Sequence, residues 1–165
     1  MLRMTKQADY AIVLLTRMAG EPGNQFNASE VAEQTGLPQP IVSKILKLLA
    51  RRELLTSHRG AKGGYRLART AGDITVAQII EAVEGPIAIT ECVDETPGEC
   101  SQEPVCPVRS NWQQINFAVR SALEQITLKE MTQPVTPGLV TLGGGSATSS
   151  VEPGIDLLER DHARN

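Results

Sequence analysis

No apolar run in this 165-residue sequence approaches the roughly 18 residues that a membrane-crossing helix needs, which excludes a spanning anchor. Nothing ahead of the cysteines resembles a secretory signal, with its charged start, apolar middle and small-residue cleavage site. Cysteine is scarce, three residues in all, and an odd count excludes a fully paired intrachain disulfide framework. These absences make the reducing cytoplasm the expected compartment, where clustered cysteines serve metal binding or redox sensing. Enzyme signatures are missing as well. No nucleophile–base pair, phosphate loop or HExxH helix stands in the sequence, so a non-enzyme is expected.

What cysteine there is lies together. Cys92, Cys100 and Cys106 fall within fifteen residues, spaced Cys-x7-Cys-x5-Cys. Between them stand Asp94, Glu95, Pro97, Gly98, Glu99, Glu103 and Pro104, acidic and turn-forming residues that predict a loop rather than a buried strand or helix. Thiolates are soft ligands suited to iron–sulfur clusters or zinc. The paired Cys-x2-Cys knuckles of a zinc ribbon are absent, and so are the ferredoxin spacing and the tight Cys-x3-Cys-x2-Cys pattern. Three thiolates leave a fourth ligand position to another group.

Charge divides along the chain. Residues 1–70 carry eleven Lys and Arg against five Asp and Glu, and the remainder five against fourteen. A basic N-terminal part suits a polyanion; the acidic remainder suits a metal or a second subunit.

Periodicity predicts a mainly α chain. Thr5 can cap a first helix to about Met18, with Ala8, Ala11, Ile12, Leu15, Met18 and Ala19 on one face. Asn27 and Glu30 resemble a capping box opening a short second helix that stops at Gly36. Pro38 and Pro40 fit the first turn of a third helix with Ile41, Ile45, Leu48 and Leu49 inward. Two short helices about a glycine turn are the pattern of a helix-turn-helix. Leu55–His58 and Tyr65–Leu67 flank Gly60, Gly63 and Gly64, which predicts a hairpin and completes a winged helix. Thr75 and Gln78 cap a further helix closed by Gly85-Pro86. From Pro107 to about Ile126, a long helix places Trp112, Ile115, Val119, Ala122 and Ile126 at heptad-like spacing, a seam suited to a partner helix or to its own domain. The expected organisation is a winged helix-turn-helix over 1–85, a cysteine loop over 86–106, a dimerisation helix over 107–131 and a disordered Pro/Gly/Ser/Thr tail over 132–165.

With that stripe inward, Gln39, Ser43, Lys44 and Lys47 occupy the outer face and first turn of the third helix, where a helix-turn-helix enters the major groove. A solvated face would also carry lysines; the wing that follows favours double-stranded DNA. Arg59 and Lys62 at the wing tip suit phosphate or a narrow minor groove, and the glycines beside them suggest close backbone approach.

Met4-Thr5-Lys6-Gln7-Ala8-Asp9-Tyr10-Ala11, the wing Arg59-Gly60-Ala61-Lys62-Gly63-Gly64-Tyr65-Arg66-Leu67-Ala68 and the three-cysteine loop resemble the Rrf-type winged-helix regulators over roughly residues 1 to 130. Cys106-Pro-Val-Arg followed by Asn111-Trp112-x2-Ile115-Asn116 is most similar to the members that regulate the SUF iron–sulfur assembly operon. The resemblance implies a homodimer on a palindromic operator and an iron–sulfur cluster on Cys92, Cys100 and Cys106, with 2Fe-2S favoured and 4Fe-4S open. IscR-like members complete the cluster with a histidine where this chain has Arg109. NsrR-like members use an aspartate of the first helix from the other subunit, and Asp9 matches it; by itself Asp9 is also a carboxylate favoured by the helix dipole. The leading function is therefore a cluster-sensing repressor of SUF genes. Alternatives are a nitric-oxide- or iron-responsive regulator of the same build, a metal-free thiol-redox switch, and a zinc-stabilised interaction module.

Overall fold

Thr5 opens the first helix as its sequence position predicts: the hydroxyl accepts the Ala8 amide N–H, and α1 runs over Lys6–Ala19. The computed structural model describes residues 4–60, 63–93 and 106–134, with the backbone alone of Cys92. Ala8, Ala11, Leu14, Leu15, Met18 and Ala19 form the buried face of α1. Leu14 takes the central place expected of Ile12, which is half-buried.

Helix α2, Ala28–Thr35, is capped by Asn27 Oδ1, which accepts the Glu30 N–H at 2.8 Å. The expected capping box is half formed, since Glu30 Oε1 accepts from Gln34 Nε2. Gly36 ends the helix in the left-handed region at φ 68°. Pro38 and Pro40 sit at the cap and first turn of α3, Gln39–Arg51, where a missing N–H costs nothing.

The buried stripe of α3 is Val42, Ile45, Leu46 and Leu49. Ile41, expected inward, is 39% exposed, and Leu48 is half-buried. The reason is that Ile41, Val42, Ile45, Leu46, Leu48 and Leu49 together make an apolar arc of roughly 160° at 100° per residue. Periodicity locates the arc but not which edge meets α1.

Past α3, Leu54 N–H bonds Leu49 O at 3.0 Å and Glu53 N–H bonds Ala50 O at 3.2 Å. This is a Schellman closure, with Glu53 at φ 59° in the place glycine usually takes. It turns the chain into β1, Leu55–His58, antiparallel to β2, Gly64–Leu67, with Leu55 opposite Leu67 and His58 opposite Gly64. Buried Phe26 adds an isolated antiparallel bridge to β2, exchanging N–H···O bonds of 2.9 and 2.8 Å with Tyr65. The result is the expected winged helix, mainly helical with one small sheet among the described residues.

A 3-10 turn at Ala71–Asp73 leads to α4, Val76–Glu84, whose Thr75/Gln78 capping box is complete. After a 3-10 turn at Glu91–Val93, α5 covers Arg109–Glu124, shorter than the expected helix to Ile126. The chain turns at Gln125 and returns: Val76 N–H bonds Ile126 O and Leu128 N–H bonds Ile74 O, both at 2.8 Å. The single-turn helix α6, Leu128–Met131, thereby inserts Leu128, fully buried, into the core formed by α1, α3 and α4. Among the described residues no helix is long and apolar enough to cross a membrane. The expected tail over 132–165 lies outside the described residues from position 135 on.

Candidate nucleic-acid interface and cysteine loop

Because Val42, Ile45, Leu46 and Leu49 face inward, the opposite side of α3 must carry Ser43, Lys44, Lys47 and Arg51. Lys44, Lys47 and Arg51 are indeed exposed, and Ser43 is half-buried. The hairpin folds back toward the C-terminal half of this face. Lys47, Ala50 and Arg51 of α3 and Ser57, Arg59 and Tyr65 of the wing line one open cleft. The structure thus brings together Lys47 and Arg59, which the sequence singled out, and adds Arg51 and Tyr65, which it did not. Arg51 was legible in principle, standing four residues after Lys47 on the same helical face. Lys47, Arg51 and Arg59 form no ion pair among the described residues, so the cleft keeps their positive charge.

Gln39, exposed at the start of α3, donates from Nε2 to Ser29 Oγ at 2.8 Å. That bond orients the amide and engages one of its two N–H donors. Lys62 lies outside the described residues. Two of the wing glycines, Gly63 and Gly64, are also required within the protein itself. A Cβ on Gly64 would lie 2.5 Å from Phe26 O, and one on Gly63 would lie 2.5 Å from His58 O. At these two positions the absence of a Cβ lets the wing close on the protein's own backbone.

Of the cysteines, Cys106 is described: a half-buried free thiol ahead of α5, its carbonyl accepting the Arg109 N–H at 3.4 Å. The backbone carrying Cys92 forms the Glu91–Val93 turn, which packs on α5. Just before it, Asn116 of α5 clamps the chain, donating to Ile87 O at 2.9 Å and accepting the Ile89 N–H at 3.0 Å. Sequence alone placed Asn116 within a motif and assigned it no role. Cys100, with Glu95, Glu99 and Glu103, lies outside the described residues. Asp9 is exposed in the first turn of α1, and Arg109 and His58 are exposed on α5 and the wing. Among the described residues no three His, Cys, Asp or Glu side chains gather as a metal site. The donor chemistry nevertheless suits a soft metal centre: the Cys92 segment lies against the helix that Cys106 precedes, and no disulfide holds Cys106.

The model of the Rrf2 family, described as an iron-dependent transcriptional regulator, matches residues 4–134. The chain belongs to the Rrf2 family. As an Rrf2 protein it is a transcriptional regulator with a DNA-binding winged helix, and not an enzyme. It is similar to the HTH-type transcriptional regulator NsrR of Oceanobacillus iheyensis, 26% identical over 86% of this chain and 97% of the relative. Among solved structures, T. potens IscR is 27% identical, with a TM-score of 0.59 over 79% of this chain and 85% of that one. The oxidized form of Staphylococcus aureus CymR is 26% identical, with a TM-score of 0.61 over 82% of this chain and 99% of that one.

Proposed function

We propose that this Rrf2 protein is a cytoplasmic, homodimeric repressor of iron–sulfur assembly (SUF) genes that senses an iron–sulfur cluster held by Cys92, Cys100 and Cys106. The observation that carries the reading is that one domain joins a cationic cleft at the wing to a cysteine segment fastened on α5. In this reading Gln39, Ser43 and Lys44 face base edges in the major groove, while Lys47, Arg51, Arg59 and Lys62 meet phosphates or the adjoining minor groove. A second copy sets two α3 helices about 34 Å apart, one helical turn of a palindromic operator.

Cysteine thiolates and an Asp9 carboxylate from the partner subunit are the donor set offered to the cluster. When bound, the cluster supplies a redox-active core whose occupancy reports the supply of iron and sulfur and exposure to oxidants. The chain's own part is transmission. α5 is tied to α4 by Arg120 and Glu81 at 3.2 Å, and α4 packs against both α1 and α3. A shift of the loop on α5 therefore has a contiguous route of packed helices to the recognition helix. A metal-free thiol switch is the second reading, supported by the likeness to a relative solved in an oxidized form. A nitric-oxide- or iron-responsive regulator has the same build, and selective bleaching by nitric oxide would favour it.

Visible absorption and Mössbauer spectra of protein purified without oxygen test the proposal, for wild type and Asp9→Ala. A cluster in wild type that is altered or lost in Asp9→Ala is the expected result. An unchanged cluster moves the fourth ligand away from Asp9, and iron-free protein with a full DNA response to peroxide transfers the function to the thiol switch.

A further inference from the structure

We infer that Asn116 is a positioning residue: it latches the chain ahead of Cys92 onto α5 and so sets where Cys92 stands relative to Cys106. Its significance rests on the reading of Cys92 and Cys106 as co-ligands, but the latch itself is a property of this chain. An asparagine amide presents an N–H donor and a carbonyl acceptor side by side, at the spacing of a peptide group, and Asn116 uses one of each. Its Nδ2 donates to Ile87 O at 2.9 Å and its Oδ1 accepts from Ile89 N at 3.0 Å. The side chain thus imitates a strand rung, pairing with backbone 27 and 29 residues away in sequence.

Beyond the latch the chain has little slack. Cys92 comes three residues after Ile89, and the intervening backbone is folded by the Val93 N–H bond to Thr90 O at 3.1 Å. The Glu91–Val93 turn then packs on α5, while Cys106 stands ahead of the first turn of that same helix. Ile87, Ile89, Val119 and Leu123 line a common apolar pocket beneath the segment. Apolar contact alone holds a segment close but leaves it free to slide, whereas two directional bonds to one side chain fix its register. One turn further along α5, Arg120 reaches Glu81 of α4. Asn116 therefore stands where the loop's position is handed to the helix, and the helix is bound to the DNA-binding domain.

The test needs no cluster for its first two readouts. In metal-free, reduced protein with Cys100→Ser, Asn116→Leu should raise Ile89 amide hydrogen exchange and slow Cys92–Cys106 cross-linking by a short bismaleimide, each by roughly tenfold. Single-thiol alkylation by N-ethylmaleimide should stay as in the parent protein. Asn116→Asp keeps the acceptor for Ile89 and loses the donor to Ile87, so it should fall between parent and Leu variant; it decides the matter if the Leu variant does not fold. An unchanged cross-linking rate in a folded variant overturns the inference. The third readout is cluster loss to a chelator in protein with all three cysteines, expected to be about tenfold faster in Asn116→Leu. Slower cross-linking in a protein that binds no cluster at all would sustain the latch while removing the cluster reading.

Discussion

Glu53 occupies a backbone conformation that its side chain disfavours, at φ 59°. The Schellman bonds of Leu54 to Leu49 and of Glu53 to Ala50 hold it there, and buried Leu49 and Leu54 supply the hydrophobic contact that accompanies such a closure. A Cβ in the left-handed region costs about 1 kcal/mol or more, whereas glycine adds roughly 0.4–1 kcal/mol of unfolded-state entropy. Glu53→Gly should therefore stabilise the domain by about 0.5 kcal/mol, read as a raised urea midpoint at unchanged slope; a fall in the midpoint would mean that the Glu53 side chain makes a compensating contact. This closure was invisible in the sequence because no glycine marks it. The Ile41 misplacement has a related origin at the same scale. Adjacent apolar residues 41 and 42 both fit the helical period, and only packing into the core selects Val42.

At the scale of elements, local chemistry written in consecutive residues was legible: the Thr5 cap, the Gly36 stop, the prolines of α3 and the Thr75/Gln78 box all stand where the pattern put them. The return of the chain after α5 was not legible, because it depends on pairing across about fifty residues, Thr127 opposite Thr75. Short α6 has little helical stability alone and is held by Leu128 in the core. Leu128→Ala should cost about 2–5 kcal/mol, measured by denaturant unfolding, and a loss under about 1 kcal/mol would show that α6 is dispensable to the core. The cap of α6 adds a pH term. Glu130 accepts the Thr127 backbone N–H at 2.7 Å and its hydroxyl at 2.8 Å, and these bonds hold its carboxyl below the ordinary 4.5. A lowered folded pKa contributes stability in full above the unfolded value, lost as pH falls through the folded one. Wild type should thus lose more stability than Glu130→Gln on acidification from pH 6 to about 3, since a glutamine accepts at every pH. Parallel acid profiles would remove Glu130 from the cap's energetics. The candidate site was half legible for similar reasons. Residue types announced Lys47 and Arg59, but only the folded hairpin shows that they share a cleft with Arg51 and Tyr65.

At the scale of the molecule, α5 presents apolar side chains that one copy of the chain does not cover. It has 16 residues and none is buried. One side meets its own domain through Asn116 and Arg120, and Trp112 and Val119 are half-covered. Of the expected seam, Ile115 on α5 remains 45% exposed, while Ile126, 41% exposed, lies beyond the turn at Gln125 and off the helix. Phe117, 70% exposed, stands roughly half a turn away from Ile115. If two seams pair about a two-fold axis, each Ile115 faces a copy of the same surface, and a substitution there acts twice. Ile115→Asp should then raise the dimer dissociation constant by at least about tenfold in sedimentation equilibrium, while Phe117→Asp leaves it unchanged; the reverse pattern would move the interface to the Phe117 face. Operator binding supplies an independent reading of the same variant. In the proposed reading, a dimer would neutralise phosphates at two half-sites through Lys47, Arg51 and Arg59 of each copy, and the slope of log affinity against log salt is proportional to that count. Dissociated Ile115→Asp protein engages one half-site, so its slope should fall toward half that of wild type, with each α3 still folded and basic. A slope that stays at the wild-type value in a demonstrably monomeric variant would mean that a single copy makes all the phosphate contacts, and the seam on α5 would lose its role in operator recognition.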